Sequence, residues 1–189
     1  MIFETERLII RNWRDEDRPI FAAIVGNPQA RIHQPGLVTR AESDDFIDRQ
    51  IETIDRIGCG FAVVERKADG AVIGDGGIRP VPDNLPFAGA GSFEIGWQLD
   101  PRYFGMGFAT EAARGWLGHG FRELRLDEVV AYTAAINTPS ERVMQRIGMA
   151  RDPARDFEHP KLPEGHPLRP HIFYSILNPN KEGPLPSFS

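Results

Sequence analysis

A single cysteine, Cys59, stands in a chain of 189 residues. It excludes an internal disulfide framework and fits a reducing compartment. No apolar run is long enough to cross a bilayer. The charged start, Met1-Ile2-Phe3-Glu4-Thr5-Glu6-Arg7, has no signal-peptide core. A cytoplasmic protein with no membrane partner is the expectation. Positive charge is in deficit: 22 Lys and Arg face 27 Asp and Glu, a net charge of −5. That argues against nucleic acid as the main partner. Neither common phosphate motif is present, since the G-x-G-x-x-G fingerprint and the Gly-Lys-Ser/Thr of a P-loop are both missing. His159, His166 and His171 lie close together, but prolines break their spacing and no zinc pattern results. No metal is expected. Internal repeats and low-complexity tracts are absent too.

What is present is ordinary globular material, 41% hydrophobic and 26% charged. The length suits one domain, expected over residues 1–178, with a C-terminal tail over 179–189. Residues 8–13 form a first strand. Acidic residues and Pro19 then open a helix that closes at Gly26-Asn27-Pro28. A loop over 28–38 follows. Thr39 and Glu42 make a capping box for a helix whose apolar face carries Phe46, Ile47, Ile51, Ile54 and Ile57. Strands over 60–66 and 71–79 flank an Asp69-Gly70 hairpin turn. Gly76-Gly77 inside the second strand suggests a bulge or a close backbone approach. A Pro/Gly-rich connection over 80–91 is long for a hairpin, and such loops are often functional. Further on come a strand over 126–134, a helix opening at Asn137-Thr138-Pro139-Ser140, and a last strand over 171–177. A polar, proline-rich loop over 155–170 precedes that last strand.

The most informative stretch runs from Phe93 to Ala112. Phe93–Leu99 reads as a buried strand, and Pro101 stops its ladder. Gly105 and Gly107 free the backbone for unusual torsions and close ligand approach. From Gly107 the apolar residues Ala109, Ala112, Ala113, Trp116, Leu117 and Phe121 recur at helix spacing. A helix opening on glycines offers unpaired N–H groups and a positive dipole end, which suit a phosphate.

Arg102-x-x-Gly105-x-Gly107 resembles the Gln/Arg-x-x-Gly-x-Gly/Ala signature of the GNAT N-acetyltransferases. Residues 105–112, Gly-Met-Gly-Phe-Ala-Thr-Glu-Ala, look like its form in the RimJ/RimL-type branch. Two distant segments add to the resemblance, the first to the same branch and the second to the GNAT enzymes in general. One is the opening E-T-E-R-L-x-x-R with its acidic helix start. The other is N-x-x-S-x-R-V-x-x-x-x-G-M from Asn137 to Met149, where Met149 replaces the usual Phe. The resemblance covers residues 5–150 in the family's order. It implies an α/β (α+β) fold: a mixed, mostly antiparallel sheet flanked by helices, with a splayed parallel strand pair that binds acetyl-CoA. The implied activity is acetyl transfer to a primary amine, on a protein N-terminus or a small molecule, within a ternary complex. A homodimer is compatible with it. The alternative from another class is a CoA-binding regulatory or interaction module without turnover.

The resemblance also implies roles. Backbone N–H groups of Phe104, Gly105, Met106, Gly107, Phe108 and Ala109 would cradle the pyrophosphate, with Thr110 nearby and Arg102 adding charge. Many relatives carry Lys or another polar residue where Met106 stands. Leu99 and its neighbours would bond the pantetheine arm through their backbone. Asn137 would bond pantetheine too, or simply open a helix. Ser140 would stabilise the leaving thiolate, or be an ordinary first-turn serine. By alternation Glu94, Gly96 and Gln98 share one face of their strand. Glu94 is the expected general base, against the alternative of a carboxylate paired with an arginine; Glu158 and His159 are rivals for the role. His33, and Asn84 in the long connection, are expected to shape the acceptor site.

Overall fold

In the computed structural model, residues 1–89 and 92–179 are described. The tail expected over 179–189 lies outside them except for its first residue. Residues 90 and 91 of the long connection lie outside them as well.

Strands β1 (Phe3–Glu4) and β2 (Leu8–Arg11) open the chain. Helices α1 (Asp17–Val25) and α2 (Arg40–Ile57) follow. The α2 entrance is the expected capping box: Glu42 N–H donates to the Thr39 hydroxyl oxygen and Thr39 N–H to the Glu42 carboxylate. Gly58, at φ 75°, closes the helix. Strands β3 (Phe61–Arg66), β4 (Ala71–Pro80) and β5 (Phe93–Leu99) form an antiparallel meander. Helix α3 (Phe108–Arg122), β6 (Glu128–Ala134) and α4 (Thr138–Arg146) come next. The chain then gives β7 (Ala150–Arg151), β8 (Phe157–Glu158) and β9 (Pro170–Leu177).

All nine strands join one sheet, ordered β1-β2-β3-β4-β5-β6-β9-β7, with β8 also on β9. Among the described residues the one parallel pair is β5 with β6, and it registers only at Phe93–Val129 and Glu94–Val130. Beyond Glu94 the two strands part. This is the mostly antiparallel sheet with a splayed parallel pair that the motifs imply.

The pleat sorts side chains to two faces. On β3, Ala62 and Val64 join the main core, where Ala112, Ala113, Trp116 and Leu117 of α3 pack against the sheet. Val63, between them, points the other way to Trp13, Phe21, Val25 and Ile47 of the α1–α2 side. Helices α1 and α2 cover only the β2–β4 end of that second face. Its β5–β6 end is left for the site.

Gly76-Gly77 proves to be a close approach: a Cβ on Gly77 would stand 1.8 Å from the Gly60 carbonyl oxygen. The register shift lies elsewhere, between Val64 and Glu65 on β3. The segment read as a loop over 155–170 needs correcting. Phe157 and Glu158 pair with His171 and Pro170, adding an edge strand. Their run is too short to show a period, and Phe157 is fixed by edge contact with Phe87 and Tyr132. The long connection is likewise anchored, because Val81 and Leu85 are buried with Val130 and Phe173.

Candidate active site

Strand β5 runs into two different environments. Its C-terminal end leads through a short helical turn, Pro101–Tyr103, into the glycine loop. Gly105 and Gly107 adopt φ 75° and 84°, a region costly for any residue with a Cβ. The first backbone bond of α3 runs from Glu111 N to Gly107 O at 3.0 Å. The first-turn N–H groups therefore have no intrahelical acceptor and face outward with the positive dipole end. Phe104 N–H donates to Pro101 O at 3.1 Å, so the free donors begin at Gly105. Arg102 is half taken up by Asp100, at 2.6 Å, though its side chain stays exposed.

A clamp holds this loop. Glu111 accepts from the Thr5 hydroxyl at 2.6 Å, from Arg7 N–H at 2.7 Å and from Arg7 Nε at 2.6 Å. Arg7 Nη1 donates to Met106 O at 3.0 Å, and its guanidinium lies 4.5 Å from the Phe108 ring centre. Burial raises the Glu111 pKa, but the Thr5 and Arg7 bonds outweigh it and hold the group below its ordinary value. The opening E-T-E-R-L segment thus touches the glycine loop, a link that no single-segment reading could supply.

The other environment is a cavity of about 700 Å³ where β5 and β6 part. His33, Asn84, Glu94, Asn137 and Ser140 all line it, brought in from four separate segments. Leu99, Arg102 and residues 104–110 do not; they lie along the end of β5 and the glycine loop. His159 lines the cavity too. Its ring centre is 4.9 Å from that of His171, and burial lowers the pKa of both. Glu158 instead pairs with Arg169 at 3.0 Å.

Glu94 is buried, with both oxygens engaged. Arg79 Nε donates to Oε1 at 2.6 Å, and the Tyr132 hydroxyl donates to Oε2. Tyr132 also lines the cavity, and burial, then the charge of Glu94, pushes its pKa up. Asn137 caps α4. Its Oδ1 accepts from Ser140 N at 3.3 Å, and its Nδ2 donates to Thr133 Oγ1 at 2.8 Å and Ser140 Oγ at 3.1 Å. Ser140 Oγ is an acceptor in that bond, so its own proton is free to donate.

Sequence reasoning passed over Asp75, Arg79 and Tyr132. The period-2 rule puts Asp75, Gly77 and Arg79 on one face of β4, and the cross-strand register makes it the face of Glu94. Residues 7–150 match the acetyltransferase (GNAT) domain model. The chain belongs to the GNAT acetyltransferases. The uncharacterized N-acetyltransferase YnaD of Bacillus subtilis is 37% identical over 91 residues, which is 48% of this chain and 52% of YnaD. The match thus spans about half of that relative. A GNAT-family acetyltransferase from Bacillus anthracis superposes with a TM-score of 0.77 at 28% identity, over 93% of this chain and 97% of the other. RimJ of Mycobacterium smegmatis, solved with CoA-disulfide, shares the fold with a TM-score of 0.70 at 21% identity, over 90% and 81%. Among the described residues of this GNAT protein, no helix is long and apolar enough to cross a membrane. No cluster of three His, Cys, Asp or Glu side chains could hold a metal ion there either.

Proposed function

We propose that the protein is a cytoplasmic, single-domain, acetyl-CoA-dependent N-acetyltransferase of the RimJ/RimL-type branch. It moves acetyl to a primary amine by direct transfer in a ternary complex. One observation carries the reading: the strand splay opens into a cavity containing Glu94, Asn137 and Ser140, while the same strand ends in a loop of free N–H donors.

The residues fit the donor. Gly105 and Gly107 hold torsions that expose the N–H groups of residues 105–110 to a pyrophosphate. Past Glu94 the edge of β5 facing β6 has no strand partner, so its backbone up to Leu99 is available to a pantetheine amide. Asn137 Oδ1 keeps a second lone pair for the same arm. When bound, acetyl-CoA supplies a thioester carbonyl that an amine can attack.

The chain's own groups manage the protons. The ammonium passes one proton through water to the Tyr132 oxygen as the phenol's own proton passes to Glu94, so no free phenolate is left. Arg79 holds Glu94 in place. As the N–C bond forms and the C–S bond breaks, the amine's second proton ends on sulfur. Ser140 stabilises that sulfur by donating its hydroxyl proton in a hydrogen bond. Thermal-shift titration with acetyl-CoA, followed by thiol release over an amine panel, tests the reading. A raised melting temperature with amine-dependent thiol release is expected. A shift without release would make it a binding module; competition by ATP but not CoA would make it a general nucleotide binder.

A further inference from the structure

The cavity half beneath α1 and α2 holds polar groups that have no part in the proton transfer through Tyr132 and Glu94. Asp75 is 4% exposed, and its Oδ1 has no hydrogen-bond partner. Across the ladder from it stands Gln98, whose Nε2 is buried and unpartnered too. Gln98 Oε1 accepts from Arg31 Nη1 at 3.3 Å. Among the described residues, the half-buried Arg31 guanidinium bonds only there and to Gly36 O at 3.0 Å. It contacts no carboxylate. All three side chains line the cavity.

Buried charge without a counter-charge is costly. Burial pushes the Asp75 carboxyl up to about 7, against the opposing charges of Arg79 and Arg31. Burial likewise lowers the Arg31 pKa, while Asp75 acts to raise it. The two charges feel each other yet form no ion pair. A ligand with a positive and a negative group a few bonds apart would satisfy both at once. Phe21, Val25, Phe46 and Phe61 line the same cavity and offer an apolar wall.

We propose that this subsite reads the acceptor as an α-amino acid with an apolar side chain: Asp75 holds its ammonium, and Arg31 with Gln98 Nε2 holds its carboxylate. The inference rests on the reading that this cavity takes the amine. A peptide N-terminus has an amide where the amino acid has its carboxylate, and would leave Arg31 without a counter-charge. Sites built around such a polar partner reject analogues that lack it far more strongly than apolar pockets reject a missing methylene.

The test pairs L-leucine, L-methionine and L-phenylalanine with their carboxamides. Binding to the whole protein is measured by calorimetry without acetyl-CoA, and kcat and KM are measured with it. The acids should bind about tenfold or more tighter than the amides, with the difference in KM rather than kcat. Arg31→Gln should erase that preference, and Arg31→Lys should restore part of it. Asp75→Asn should raise KM for acid and amide alike. Amides or short peptides used as well as the acids would overturn the proposal. So would a preference unchanged in Arg31→Gln protein that still binds acetyl-CoA. Selective amino-acid binding without acetyl-CoA binding would instead sink the acetyltransfer reading and leave the subsite standing.

Discussion

The glycine loop and the cavity between β5 and β6, proposed above as the donor and acceptor sites, lie at two ends of the same strand, and they are built on opposite principles. The donor loop is one continuous segment whose working groups are backbone N–H donors, set by two glycines at positive φ. The acceptor cavity draws Arg31 and His33 from a loop, Asp75 from β4, Glu94 from β5 and Tyr132 from β6. Its working groups are side chains, several of them unpaired. A backbone site can serve every relative that uses one donor. A side-chain site can be rebuilt residue by residue for each acceptor.

If that division is right, substitutions should sort by ligand. The largest effect falls where the halves meet. Glu94→Gln should lower kcat by about a hundredfold or more, with the acetyl-CoA Kd unchanged. Tyr132→Phe should do much the same, and the double variant should be no worse than the stronger single one. Steady-state kinetics checks both.

Gly107→Val comes next. Its φ of 84° disfavours a β-branched side chain, and its Cβ would meet Arg7 Nη2 at 3.4 Å. Acetyl-CoA binding should weaken by about tenfold or more, read by calorimetry.

Asp75→Asn sharpens the contrast through stability. Because burial pushes the folded carboxyl up to about 7 while the unfolded one keeps its ordinary value of 3.8, the folded state binds more protons between those values. The contribution of Asp75 is therefore fully present below pH 3.8 and is lost as pH rises through 7. Removing it should stabilise the protein at pH 8 by on the order of 1–4 kcal/mol, with little gain at pH 4. Denaturant melts at the two pH values check the sign. The smallest effect is Ser140→Ala, which should lower kcat by about threefold to tenfold with little change in the acetyl-CoA Kd.

The same division explains what could be read in advance. The donor loop was legible because glycine spacing, Pro101 and the onset of helical period are all local. The capping box of α2 and the entry of α4 at Asn137 were legible for the same reason. The separate strands were legible from their composition and turn residues, and their arrangement into one sheet came from the family resemblance. The clamp from Arg7 to Glu111 was not legible, since it joins residues 104 positions apart. Pairing of Glu94 with an arginine was one of the two readings, and Arg79 bears it out; that the partners are Arg79 and Tyr132 was not legible, because it depends on cross-strand register at β4–β5 and on the splay at β6. Asp75 looked like one more polar residue in a glycine-rich strand until folding buried it. Edge strand β8 was hidden in a proline-rich run because two residues carry no period.

The most direct test of the division is calorimetric titration of two ligands, acetyl-CoA and L-leucine, into two variants, Gly107→Val and Arg31→Gln. The glycine variant should lose acetyl-CoA and keep L-leucine, and the arginine variant should do the reverse. Loss of the same ligand by both variants, or of both ligands by either correctly folded variant, would contradict the account.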